Sequence, residues 1–298
     1  MNQQLTRLQQ QINAELSETF EHVKASLNLQ ESRLLSAMEY ALLNGGKRMR
    51  PLLLSLVGQV FEANQQDIKV ASLALECIHA YSLIHDDLPS MDNDDLRRGK
   101  PTCHIQFDEA TAILAGDALQ TLAFECLSSF TMEASETKRL QLVAILAKAS
   151  GLRGMCLGQS LDLLATNTAI DLASLQQLHQ LKTGALLKAS VQMGACLGTK
   201  PYSPKTENLL VQFADNIGLA FQIQDDILDV ISDTETLGKP QGSDQQSNKS
   251  TFVTHFGLEG AKNELQKKYH LAIQSLEQLE YNTQDLQAFT QYMVTRTY

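Results

Sequence analysis

The chain contains no tryptophan, only six prolines and 6% aromatic residues among 298. With so few prolines and hardly any alternating β-branched runs, long segments are free to run as helix, and the chain reads as nearly all α. No Pro- or Gly-rich linker interrupts a composition that is 43% hydrophobic, so one domain over residues 1–298 is expected. Lys and Arg number 24 against 34 acidic residues, and a net charge of −10 without a basic stripe argues against a nucleic-acid partner. The five cysteines (Cys77, Cys103, Cys126, Cys156, Cys196) form no CxxC pair, which fits reduced thiols in a cytoplasmic protein. The N-terminal MNQQLTRLQQQINAEL has no apolar signal core, and Asp117 and Lys188 break the longer apolar stretches. Neither secretion nor a membrane span is expected.

What the chain does have is concentrated in Glu76–Gly99, ECIHAYSLIHDDLPSMDNDDLRRG. An apolar helical segment runs directly into five aspartates within ten residues, then Arg97 and Arg98. Pro89 makes helix unfavourable beyond about Leu88, so Asp86 and Asp87 sit at a helix C-terminus, where the dipole already disfavours anions. If Asp86, Asp87 and Asp92 converge, their repulsion requires a cation. Hard oxygen donors without Cys or His favour magnesium or manganese over zinc. A solvated acidic loop does not account for acids that follow an apolar helix without a polar spacer. A calcium loop counted from Asp92 fails, since Arg97 would occupy the Gly position and Cys103 the bidentate Glu position.

Upstream, NGGKRMRP (44–51) places Lys47, Arg48 and Arg50 beside a helix start, an arrangement suited to phosphate. Taken alone, a basic turn is more often solvated; its weight comes from the acids downstream. His79 lies two turns before Asp86 on the same side, so its ring either rests in the core or bonds a phosphate oxygen. His85 and His104 read as structural. Leu5, Leu8, Ile12 and Leu16, then Leu34, Leu35, Met38 and Leu42, mark two scaffold helices.

Two further apolar helices are expected over 110–130 and 140–164. Gly151, Gly154 and Gly158 suit close packing, with Gln159 and Asp162 hydrogen-bonded in the core. A helix over 179–190 contains Lys182 and Thr183, and a buried lysine there needs an anion. FQIQDDILDV (221–230) then repeats the first pattern, with Asp225, Asp226 and Asp229 ending an apolar helix. Two such clusters imply one shared metal site that would clamp a diphosphate. The polar segment 232–250 carries Lys239 and Lys249 and suits a mobile lid. Arg296, near the end, offers too little context to interpret.

GGKRMRP at 45–51, DDLPSMD at 86–92 with the arginines at 97 and 98, KT at 182–183 and FQIQDDILD at 221–229 together resemble the trans-isoprenyl diphosphate synthases, over nearly the whole chain. The resemblance implies an all-α isoprenoid-synthase fold, a helical bundle around a deep central cavity, and a homodimer. It implies three magnesium ions on Asp86, Asp87, Asp92, Asp225, Asp226 and Asp229, with Asp225 in direct contact. Arg97, Lys182, Lys239 and Lys249 would hold an allylic diphosphate; Lys47, Arg50, His79 and Arg98 would hold isopentenyl diphosphate. The implied catalytic set is Lys182, Thr183, Gln222, Asp86 and Asp225, Thr183 and Gln222 stabilising a carbocation. The implied reaction condenses isopentenyl diphosphate with dimethylallyl or geranyl diphosphate to farnesyl diphosphate, with geranyl or geranylgeranyl diphosphate as alternative products. Tyr81 and Ser82, one turn before Asp86, would form the floor that limits chain length. Asn93 departs from relatives that often carry Asp there, outside the metal triplet. Rival readings are a His-Asp phosphohydrolase, which would need more histidines, a terpene cyclase, which would use Asn, Ser and Glu at its second motif, and a noncatalytic partner subunit, which would usually lack one motif.

Overall fold

The two N-terminal stripes form α1 (Gln3–Ala25) and α2 (Arg33–Leu43), burying Leu5, Ile12 and Leu16 from one and Met38 and Leu42 from the other. The structure, a computed structural model, describes residues 3–27, 32–129, 131–232 and 249–296. After α3 (Met49–Val60) comes α4 (Gln65–Asp86), started by the Asn64 side chain, which accepts from the backbone N–H groups of Gln66 and Asp67. Ile68, Leu73, Leu75, Ile78, Tyr81 and Ile84 of α4 are buried, so its apolar residues do not confine themselves to one face; it is a core helix.

Helix α4 ends at Asp86 and the chain folds back on it, the Asp92 N–H donating to the Asp86 carbonyl at 2.8 Å. A two-residue hairpin follows, β1 (Leu96–Arg97) and β2 (Lys100–Pro101), turned by Arg98 (φ 55°) and Gly99 (φ 74°). Positive φ at both turn residues matches the right-handed twist of paired strands. The strands are short, and the all-α reading stands.

The remaining helices are α5 (Cys103–Gln106), α6 (Glu109–Ser128), α7 (Glu136–Ser150), α8 (Met155–Ala165), α9 (Leu172–His179), α10 (Ala185–Leu197), α11 (Pro204–Ile231), α12 (Phe252–Glu277) and α13 (Gln284–Thr295). Two expectations need correction. The helix read over 140–164 is interrupted by a turn at 151–154, which separates α7 from α8. The helix read over 179–190 is not uniformly α: Gln180–Gly184 is a π turn between α9 and α10. Single π turns recur at functional sites because they rotate side chains out of helical register.

One large hydrophobic cluster unites α1 to α4, α6, α7, α10 and the first half of α11; a second joins Leu219, Ile223 and Ile227 of α11 to Phe252, Ala261 and Leu265 of α12. Helix α11 therefore crosses from one core into the other and carries the second aspartate motif. Helix α6 and the stretch 136–165 are long and apolar enough to cross a membrane by length and composition alone, but α6 packs extensively on α4.

Candidate active site

A cavity of about 1140 Å³ opens between α3, α4, α8, the π turn and α11. Asp86 from the end of α4 and Asp225 from α11 both line it, so the structure brings one carboxylate of each motif to a common space. The other four acids are placed differently. Asp87 is buried and accepts from Arg97 Nε at 2.8 Å on both oxygens, with a further bond from Nη2. Asp92 is exposed on the return loop. Asp226 accepts from the Phe252 N–H at 2.7 Å and from Gln222 Nε2 at 3.0 Å, and Asp229 is buried beside it on α11. Among the described residues no group of three or more His, Cys, Asp or Glu is gathered tightly enough to hold a metal ion.

The donor chemistry nevertheless fits a hard cation. Burial pushes the Asp86 carboxyl up to about 6; Lys182 pulls it down, and the neighbouring charges of Asp92 and Asp87 raise it further. An acid in that position lacks positive charge, and the two aspartate motifs offer carboxylate oxygens.

The same cavity is lined by a cluster of basic side chains. Burial first, then the charges of Arg296 and Arg98, lower the Lys47 ammonium to about 8 against the opposing pull of Asp225. Burial likewise lowers Arg50 and Arg98. His79 is held neutral, first by burial and then by Arg50, whose Nη1 lies 3.4 Å from its Nε2; Arg50 Nε is buried with no partner. Arg98 reaches back to donate to the Gly45 carbonyl at 2.5 Å, joining the hairpin to the glycine turn. Crowded, desolvated cations of this kind require an anion. Arg48 does not join them. It is buried with its guanidinium 2.5 Å from Glu76, and also donates to Asn13 and the Leu42 carbonyl, so the middle cation of the basic turn is structural.

The π turn presents Lys182 and Thr183 to the cavity. Lys182 Nζ donates to Asp162 at 2.7 Å, and Lys249 reaches the same oxygen at 3.3 Å. Burial raises the Asp162 carboxyl, but the two ammonium groups outweigh it and leave it below the usual carboxylate range. This corrects the expectation that Asp162 bonds within the core: it is the anion the buried lysine needed. Gln159 is also corrected, since its amide lines the cavity with neither atom partnered. Gly158 meets its expectation of close packing, because a Cβ there would stand 2.1 Å from the Lys182 backbone nitrogen. Thr183 donates to Gln222 at 3.3 Å, and Gln222 faces a smaller pocket shared with Lys249 and Asp226.

Tyr81 and Ser82 line the cavity one turn below Asp86, as expected. Lys239 and most of the lid segment, 233–248, lie outside the described residues. Sequence reasoning missed Arg296. Its guanidinium sits 2.5 Å from Asp225, covers the Phe221 ring at 4.2 Å and lines the cavity. Nothing local announced it; its partner lies 71 positions away.

Comparison with known proteins decides the family. The sequence profile described as polyprenyl synthetase matches residues 31–293. This chain belongs to the polyprenyl synthetase family. It is 48% identical over 295 residues to a farnesyl diphosphate synthase of Haemophilus influenzae, covering 99% of this chain and 98% of the relative. A farnesyl diphosphate synthase of Escherichia coli is also 48% identical, over 298 residues, with the same coverage. Among solved structures, an FPP/GFPP synthase from Zymomonas mobilis superposes with a TM-score of 0.87 at 40% identity, covering 99% of this chain and 100% of that one. A Helicobacter pylori geranyltransferase complexed with magnesium and isoprenyl diphosphate gives 0.80 at 37% identity, covering 95% of each chain. The architecture is the isoprenoid-synthase fold of this family.

Proposed function

We propose that this chain is a magnesium-dependent farnesyl diphosphate synthase, its residues 1–298 forming one catalytic domain. The observation that carries the reading is one cavity lined by a carboxylate from each aspartate motif, by desolvated cations and by Tyr81. The names of its near relatives support the substrate class.

Asp86 and Asp225, with Asp87, Asp92, Asp226 and Asp229 beside them, would hold magnesium, three ions by family resemblance with manganese as the alternative; bound there, it neutralises charge developing on a leaving diphosphate. Arg97, Lys182, Lys249 and Lys239 would take the allylic diphosphate, and Lys47, Arg50, His79 and Arg98 the isopentenyl diphosphate. The allylic C–O bond breaks with its electron pair leaving on diphosphate. The isopentenyl double bond attacks the allylic cation to form a C–C bond, and a proton is lost to the departing diphosphate. Thr183 has its hydroxyl proton turned to Gln222, so its oxygen lone pairs remain available to stabilise positive charge.

A homodimer is supported by apolar side chains exposed on α6 (Ile113, Leu114) and α8 (Leu164). All five cysteines are free, which supports a reducing cytoplasmic setting. The test is incubation with isopentenyl and dimethylallyl diphosphates plus magnesium, with products sized by chromatography and an EDTA control, and light scattering on the same sample. A fifteen-carbon product that disappears with EDTA and a mass of twice the chain are expected. Release of diphosphate without elongation would replace this reading with a hydrolase or cyclase.

A further inference from the structure

Part of the cavity is lined by side chains from two helices. Tyr81 and Ser82 come from α4; Cys156, Gln159, Ser160 and Leu163 come from α8, at i, i+3, i+4 and i+7 on one face. The Tyr81 hydroxyl lies 3.4 Å from Cys156 Sγ. Its ring packs edge-on against His85 at 5.8 Å between centroids. His85 is itself fixed by α6, with Nε2 3.1 Å from the Ile113 carbonyl and seated where a side chain at Gly116 would stand. Tyr81 is thus clamped by its ring on His85 and by its hydroxyl on both Cys156 and Gln120. Cys156 is exposed and lines the cavity, whereas Cys77, Cys103 and Cys126 are buried.

We propose that Cys156 is a specificity-determining residue, setting with Tyr81 the depth at which a growing allylic chain stops. This rests on the prenyltransferase reading given above. A thiol is a small, weakly hydrogen-bonding group; its removal takes away one of the two groups that hold the Tyr81 hydroxyl, Gln120 keeping the other, and deepens the space directly beside it. A larger apolar side chain at 156 fills the space directly. Each condensation adds five carbons, so a change of this size registers as a change in the number of condensations rather than in their rate.

The test compares Cys156→Ala, Cys156→Leu, Cys156→Ser and Tyr81→Phe. Each is supplied with dimethylallyl or geranyl diphosphate, isopentenyl diphosphate and magnesium, and both product ratio and initial rate are read. Cys156→Ala is expected to raise the twenty- to fifteen-carbon ratio several-fold, with the dimethylallyl rate within about twofold of the parent, and Tyr81→Phe to raise the same ratio. Cys156→Leu is expected to accumulate the ten-carbon product, with kcat/KM for geranyl diphosphate falling at least tenfold and that for dimethylallyl diphosphate retained. Cys156→Ser keeps a hydrogen-bonding group at the same position and should keep the parent profile. Unchanged ratios in both the Ala and Leu variants would overturn the proposal, as would equal slowing with both starters, the mark of a merely structural residue. A Ser variant that lengthens product as Ala does would overturn the clamp. Absence of elongation by the unsubstituted protein would instead overturn the parent reading.

Discussion

At the scale of single residues, the site is built from groups whose charge the surrounding fold opposes. Asp86 is the clearest. Its folded pKa, about 6, exceeds its ordinary value of 3.8, chiefly through burial, so the folded state binds the proton more tightly than the unfolded chain. Stability from this group therefore falls as pH rises from about 4 to 6 and stays low above that. Asp86→Asn removes the penalty: at pH 7.5 the metal-free variant should be more stable by about 1–3 kcal/mol, with the gain vanishing near pH 4. Turnover should drop by orders of magnitude, measured alongside urea melts at both pH values. Arg48 is the opposite case, a charge the fold has already paired. Arg48→Ala would strand buried Glu76 and should cost about 3–5 kcal/mol in a urea melt, whereas an apolar Arg48→Met, Glu76→Leu pair should recover most of it. Both aspartate motifs and the KT pair were legible in the sequence, because a carboxylate or ammonium set directly against an apolar run must be neutralised by something when that run is buried. The structural role of Arg48 was not legible, because nothing local distinguishes a phosphate-binding arginine from one buried against a helix 28 positions away.

At the scale of elements, position follows from a few close approaches. Helix α8 reaches the π turn only because residue 158 is glycine, and that approach aligns Asp162 with Lys182 and Lys249. Gly158→Ala should force the two elements apart and cost about 1–3 kcal/mol or more by overpacking. In the same variant KM for geranyl diphosphate should rise while that for isopentenyl diphosphate stays near the parent value, since Lys47, Arg50 and His79 lie on other elements. A thermal melt and two substrate titrations check this. The helices themselves were readable from their apolar periodicity. The π turn was not, because its extra residue changes register without changing composition; the break between α7 and α8 falls at Gly151 and Gly154, which read as close-packing positions rather than as a helix stop.

At the scale of the molecule, the two aspartate motifs belong to different cores, one on α4 in the large cluster and one on the half of α11 packed with α12. A ligand bridging them should stabilise the whole. Magnesium with inorganic diphosphate, each at about a hundred times its dissociation constant, should add roughly 3 kcal/mol and raise the melting temperature by several degrees. Either alone should do much less, and EDTA should reverse the effect in a thermal-shift measurement. The amino-acid sequence by itself determined the helical class, the order of the charged motifs and the family, since apolar periodicity and contiguous motifs are local properties of a chain. Only the tertiary structure decided that Arg296 faces Asp225, that Asp162 gathers Lys182 and Lys249, and that Cys156 meets Tyr81. These partners stand 71, 20, 87 and 75 positions apart. No periodicity links residues so separated; packing of the helices around the cavity brings them together.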